Sequence, residues 1–418
     1  MNPKYKAIQE KYKKFCPHLW QHFSMETNGE VKFCCEAIQL KSNFHDKSLK
    51  EVFNSDEYNT KRQQLLDGIE IPECHQCWYK EKQGLSSKRL LDMEFVKDDF
   101  VEKFEKWQSG EEIIPDYYNL QASNTCNFAC IMCSPLWSSS LYSLTKKDSK
   151  DKPLRFGSDV YKERNNISQN PNFWQGLKEV DHKLNRLYVT GGEPFMVKEL
   201  WQYIETLVDR DLAKNIDFWC STNASMITEK QLQLLSNFNF VDLNLSIDGH
   251  AEVNEYLRYK SNWGNLDKQV SVLAKKAEES QNFMISIVPV VSALSIESLP
   301  RLIKWYSNKF EDKSQVHVKP ILLHWPKTMH LNSLPKKIVN KIYEKIEKSV
   351  EILKSYIPYY NPKELSSQEQ LWNNILKALE LHQFDLNNNQ LLKEELEYFS
   401  KIYKKDYVNF FKHIVSEN

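Results

Sequence analysis

The chain has 418 residues, with 56 Lys plus Arg against 56 Asp plus Glu and no formal net charge. That length accommodates two or three domains and a large buried core, and the charge balance gives no case for a nucleic-acid-binding or membrane-surface protein. No apolar run reaches the length of a transmembrane helix, and the opening MNPKYKAIQEKYKKFC lacks an apolar signal core, so the expectation is a cytoplasmic protein with no membrane or nucleic-acid partner.

Nine cysteines stand at 16, 34, 35, 74, 77, 126, 130, 133 and 220. An odd number clustered in short motifs argues against a disulfide framework and for metal or iron–sulfur ligation. Residues 1–115 hold five of them and little strand signal. In FCPHLWQHFSMETNGEVKFCC (15–35), Asn28–Gly29 is a turn signal for a hairpin that brings Cys16 and Cys34 together. A CxxC follows at Cys74 and Cys77. Spacing alone leaves a structural zinc ribbon open for these four.

Residues 116–326 alternate strand and helix patterns. Strands are expected at 117–123, 186–192, 216–223, 241–249, 284–292 and 315–323. Between them, residues 196–210 place Val197, Leu200, Ile204, Leu207 and Val208 on one helical face. Thr228–Glu229–Lys230–Gln231 reads as a capping box, and 265–280 and 296–310 read as helices. Six strand–helix units imply a parallel sheet with helices outside, either a partial barrel or an open doubly wound sheet. In both, chemistry sits at the C-terminal ends of the strands.

The loop after the first of these strands carries Cys126, Cys130 and Cys133 in NTCNFACIMC. Thiolates are soft ligands that suit zinc or iron–sulfur clusters. A cubane of four irons held by three thiolates leaves one iron open, and an open position marks a catalytic site. A zinc site completed by a distant His is the other reading. The polar stretch 145–159 is expected to be a surface insertion. Cys220, on a predicted strand, reads as a small buried core residue. Residues 327–418 are helical, Lys-rich and free of cysteine. Pro335 opens a helix whose stripe, Ile338, Ile342, Ile346, Val350, Leu353 and Ile357, is expected to pack against the rest of the protein.

CNFACIMC after a first strand, TGGEP (190–194) after a second and SIDG (246–249) after a fourth resemble the radical S-adenosylmethionine (radical SAM) superfamily over about residues 116–326. The resemblance implies a 4Fe–4S cluster on Cys126, Cys130 and Cys133, with SAM chelating the fourth iron. Reductive cleavage of SAM would then yield a 5′-deoxyadenosyl radical that abstracts a substrate hydrogen. Gly191 and Gly192 would let backbone approach SAM, and Glu193 would meet its ammonium. Thr222, Asn223, Ser246 and Asp248 would lie near SAM, the last two at the ribose. Arg258 would pair with the SAM carboxylate or be a solvated helix charge. Val288 and Val290 would pack the adenine or simply the core. Met132 stands where the family usually has an aromatic.

Cys–Gly–Cys, LKEVFNS and PECHQC over about residues 15–85 resemble the SPASM and twitch domains that accompany radical SAM enzymes. They imply a second, auxiliary 4Fe–4S cluster on Cys16, Cys34, Cys74 and Cys77, with Cys35 spare. The cysteine count fits the shorter twitch type, and the module stands before the barrel rather than after it. The expected fold is α/β: a partial (β/α)6 TIM-type barrel (116–326), a small N-terminal auxiliary-cluster domain (1–115) and a C-terminal helical extension (327–418). The resemblance also implies a substrate that is a peptide or protein, or else a small alcohol or sugar-like molecule, and an electron donor such as a flavodoxin or ferredoxin. A non-catalytic electron-transfer or zinc protein is the alternative of another class.

Overall fold

The computed structural model describes residues 2–44, 47–93, 96, 99–146, 156, 166–310, 315–354 and 362–415. Its strands are β1 (His22–Met25), β2 (Val31–Lys32), β3 (Tyr117–Leu120), β4 (Ala129–Cys130), β5 (Arg186–Val189), β6 (Asp217–Thr222), β7 (Phe240–Leu245), β8 (Arg258–Tyr259), β9 (Phe283–Ile287), β10 (Val290–Val291), β11 (Val316–Val318) and β12 (Ile321–Leu322). The protein is mixed α/β with an eight-stranded sheet, and the six strands expected of the barrel, β3, β5, β6, β7, β9 and β11, are all present. Among the described residues no helix is long and apolar enough to cross a membrane.

The chain divides into two compact units. The first comprises residues 1–123, 164–220 and 233–240. Its strand order is β2-β1-β3-β5-β6, parallel except for the β1–β2 hairpin. Little strand is expected before residue 115, yet β1 lies parallel to β3, with His22 opposite Tyr117 and Met25 opposite Leu120. Four residues are too few to show a period, and the strand exists because a neighbouring edge pairs with it. The hairpin turns at Gly29, whose φ of 80° is the left-handed conformation that glycine adopts without strain. The helix Lys198–Asp209 buries Leu200, Trp201, Tyr203, Ile204 and Leu207, a broader face than the expected stripe.

The second unit comprises residues 124–163, 221–232 and 241–418. Here β7, β9 and β11 run parallel, with Leu243 and Val316 both opposite Ile285. The expected capping box forms: Gln231 N donates to Thr228 Oγ1 at 3.3 Å, and Thr228 N donates to Gln231 Oε1 at 3.0 Å. Helix Lys336–Lys354 buries Ile338, Ile342, Ile346, Val350 and Leu353 and packs on helix Leu299–Lys309, while Ile357 lies outside the described residues. Most of the 145–159 stretch also lies outside them. Phe156 is an exception that departs from a surface insertion: it is buried and meets Phe399 edge-on, ring centroids 6.2 Å apart.

Candidate functional site

The three-cysteine loop of the second unit leaves Asn124 and returns through the short strand β4. There Cys130 pairs with Arg258 and Ala129 with Tyr259 of β8, antiparallel. All three thiols are half-buried. Arg258 Nη1 lies 3.8 Å from Cys130 Sγ, within reach of an N–H···S bond. The rest of its guanidinium grips Asp248: Nη2 donates to Oδ1 at 3.1 Å and Nε lies 2.7 Å from Oδ2. Asp248 Oδ1 also accepts from Val290 N at 2.9 Å. Asp248 is wholly buried, and Arg258, tied both to it and to the Cys130 sulfur, is half-buried rather than a solvated charge. Burial pushes the Cys130 thiol up, Arg258 opposes it, and Cys133 and Cys126 add to it, so the three sulfurs share one neighbourhood.

Two further ties hold the loop. Asn223 Nδ2 donates to Asn127 Oδ1 at 2.8 Å, and Asn127 Nδ2 donates to Ser225 Oγ at 2.8 Å. Ser225 closes this ring onto Asn223 Oδ1 at 2.6 Å. On the other side, Tyr403 Oη donates to the Ala129 carbonyl at 2.6 Å and stacks on Tyr259 at 4.0 Å, 8° from parallel. Thr222 Oγ1 accepts from Ala224 N at 3.0 Å and so fixes the bend after β6. Met132, Ser246, Val288 and Val290 are half-buried on the loop and strand ends.

In the first unit, Gly191 and Gly192 follow β5 with φ of 81° and 50°. A Cβ on Gly191 would stand 2.9 Å from Gln121 Cβ, so the turn requires glycine twice over, by conformation and by space. Glu193 is wholly buried, and its Oε1 accepts from Phe195 N at 3.2 Å. That bond helps to shape the turn. Cys220 is buried on β6, as expected of a core residue.

Also in the first unit, Cys16, Cys34, Cys74 and Cys77 are buried while Cys35 is exposed. The Cys16 thiol is pushed up to about 12 by burial first and by Cys77 next. Cys34 is driven well above its ordinary range by burial, then by Cys35, Cys74 and Cys16, and Cys74 rises through burial, Cys16 and Cys77. Four soft donors therefore face a shared interior. Among the described residues no three His, Cys, Asp or Glu side chains are grouped around a single-ion position. An iron–sulfur cluster spreads its thiolates around a core of several atoms, so facing sulfurs rather than converging ones are what it requires. The donor chemistry of both cysteine sets fits such a cluster. The pocket lies at the N-terminal end of the strands: Phe33, next to Cys34, accepts at its carbonyl from His22 Nδ1 at 2.8 Å, and His22 opens β1.

Sequence reasoning missed the polar residues around that pocket. His18 Nε2 and Lys88 Nζ each lie 2.6 Å from Asp92 Oδ2, and the His18 and His22 rings are 4.8 Å apart. A signal was present in the strands, where polar residues alternate with apolar ones: His22 and Ser24, Arg186 and Tyr188, Asp217 and Trp219.

Residues 120–305 match the family model of the radical SAM superfamily, and residues 16–78 match that of an iron–sulfur cluster-binding domain, SPASM. The chain is 26% identical over 197 residues to mycofactocin maturase MftC of Mycolicibacterium smegmatis, covering 43% of this chain and 42% of that protein. It is 27% identical over 176 residues to the GTP 3′,8-cyclase of Sulfurovum sp. (strain NBC37-1), covering 42% and 46%. The chain thus spans under half the length of these curated relatives. Among solved structures, Streptococcus suis SuiB bound to S-adenosylmethionine aligns at 13% identity with a TM-score of 0.38, over 79% of this chain and 68% of that one. Residues 120–305 thus carry the radical SAM match, and the SPASM iron–sulfur cluster-binding match at residues 16–78 stands ahead of it.

Proposed function

We propose that this enzyme cleaves SAM reductively and abstracts a hydrogen from a peptide or protein residue, which it oxidises or cross-links. When bound, a 4Fe–4S cluster with SAM supplies the electron and the 5′-deoxyadenosyl radical. In this reading Cys126, Cys130 and Cys133 hold that cluster, and Cys16, Cys34, Cys74 and Cys77 hold an auxiliary one. The carrying observation is that a superfamily match spans the three-thiol loop while a SPASM match spans the four-thiol pocket. The similarity to a maturase supports a peptide substrate.

The chain's own residues orient the loop. The Arg258–Asp248 pair fixes the Cys130 sulfur, the Asn127–Asn223–Ser225 ring fixes the segment after Cys126, and Tyr403 fixes the backbone before Cys130. Such fixing matters because a reactive group must be held within a fraction of an ångström of its target. The Gly191–Gly192 turn, shaped by Glu193, is the proposed seat of the SAM methionine moiety. Met132, Thr222, Asn223, Ser246, Val288 and Val290 are the proposed wall around the rest. Asp248 and Arg258 support that wall from behind.

A small-molecule substrate is the second reading, favoured by the similarity to GTP 3′,8-cyclases. The test is anaerobic: reconstituted protein, dithionite and SAM, with 5′-deoxyadenosine measured by chromatography. Its formation is expected, and its absence would reject the enzyme reading. Deuterium carried into 5′-deoxyadenosine from a perdeuterated peptide pool, but not from the small-molecule fraction of the same source, decides between the substrates.

A further inference from the structure

The strands of the first unit sort their side chains by face. On one face Phe23, Tyr118, Leu187 and Phe218 are fully buried among apolar neighbours. On the other, the register aligns His22, Tyr117, Arg186 and Asp217 in one row and Ser24, Asn119, Tyr188 and Trp219 in the next. A parallel sheet that is merely packed on both sides reads apolar on both. This one carries a polar face whose groups are left over.

Asn119 and Ser24 stand opposite each other and are fully buried, and among the described residues neither amide atom of Asn119 nor the Ser24 hydroxyl has a partner. His22 donates through Nδ1 to Phe33, which leaves a buried Nε2 as an unused acceptor. Each such group is costly to leave unmet. Beside them, the Arg186 guanidinium stacks on two rings, 4.3 Å from the Trp219 centroid and 5.2 Å from that of Tyr117. Among the described residues its buried Nε has no partner, nor has Trp219 Nε1. Among the described residues no carboxylate pairs with it. Asp217, opposite Arg186 in the register, accepts from Asn239 at 2.7 Å, and Asp92 is held by Lys88 and His18.

A guanidinium lying over two rings, with Nε uncommitted among the described residues, matches a carboxylate in a way that an ammonium does not. From Arg186, Asn119 lies one row on and one strand over, and Ser24 stands opposite Asn119 on the next strand beyond. Strand spacing of about 4.8 Å and a two-residue rise of about 6.6 Å keep Arg186 and Asn119 within reach of a single amino-acid residue. We infer that this face is a binding site for a carboxylate carried next to an amide. Arg186 and Trp219 Nε1 take the carboxylate, while Asn119 and Ser24 take the neighbouring amide. The occupant is the carboxylate end or an acidic residue of the substrate peptide. This last identification rests on the peptide reading above, whereas the site itself rests on Arg186, Asn119 and Ser24.

The test uses the full chain, anaerobically reconstituted, with neither SAM nor reductant. N-acetylglycine, N-acetylglycinamide and acetate are titrated by calorimetry. N-acetylglycine is expected to bind at least about tenfold more tightly than either of the others, a difference of about 1.4 kcal/mol. Arg186→Gln is expected to erase the preference for the acid, and Arg186→Lys to weaken it. Equal affinity for acid and amide in the wild type overturns the proposal and does not depend on any variant folding. Undiminished preference in a folded Arg186→Gln overturns it as well. Because no turnover is involved, failure here leaves SAM cleavage and the peptide reading untouched, and failure of peptide turnover leaves this binding result standing.

Discussion

In the pocket formed by Cys16, Cys34, Cys74 and Cys77 no residue exceeds 9% exposure, whereas Cys126, Cys130 and Cys133 are all half-buried on a loop. The pocket has four sulfurs and is sealed by its own domain. The loop has three, and its position is set by contacts from β8, the segment after β6 and the helix that ends at Tyr403. A complete ligand set suits a relay that takes nothing in, and an incomplete one suits a site that must admit a small molecule. The first unit adds a spatial point. The thiol pocket lies at the row of His22, Tyr117 and Arg186, and the Gly191 turn lies five residues further along β5, about 16 Å at the rise of a parallel strand.

The sharpest way to break the contrast is Cys133→Ala. It is expected to reduce 5′-deoxyadenosine formation to background and to remove the iron of the loop site alone, as read by iron and sulfide counts. Cys77→Ala is expected to remove the pocket's iron, leave part of the SAM cleavage and stop substrate turnover. Loss of both activities together would show that the two sites are not separable. Arg258→Met strips the partner from a buried carboxylate and is expected to cost about 3–5 kcal/mol in urea unfolding, with much of the loss restored when Asp248→Asn is added. Gly191→Ala forces a side chain into a left-handed conformation against Gln121 and is expected to cost about 1–3 kcal/mol. Cys35→Ser is expected to leave the iron count unchanged; a drop of one cluster's iron would make the exposed thiol a ligand in place of Cys34.

The barrel strands and the Thr228 cap were legible because they depend on local period and local hydrogen bonding. Cys34 is expected to be a ligand in preference to Cys35 on the distance from the Gly29 turn, and in the structure Cys34 is the buried member of the pair. β1 was not legible, since its pairing partner, Tyr117–Leu120, lies far along the chain. The same holds for the pair beside Cys130: that Arg258 and Asp248 bind each other is set by the fold. The burial of Glu193 is likewise set by packing that no spacing reveals. Sequence separates residues that touch, so contacts made by tertiary partners are the ones it does not show.

The hydroxyl that ties down Ala129 belongs to a residue 274 positions later. During synthesis, therefore, the loop emerges long before this latch, which closes only after the helix ending at Tyr403 has left the ribosome. Closing so long a loop carries an entropic cost. Of the three ties on the loop, the one from Tyr403 is the last whose partner is made, after Asn223 and Arg258.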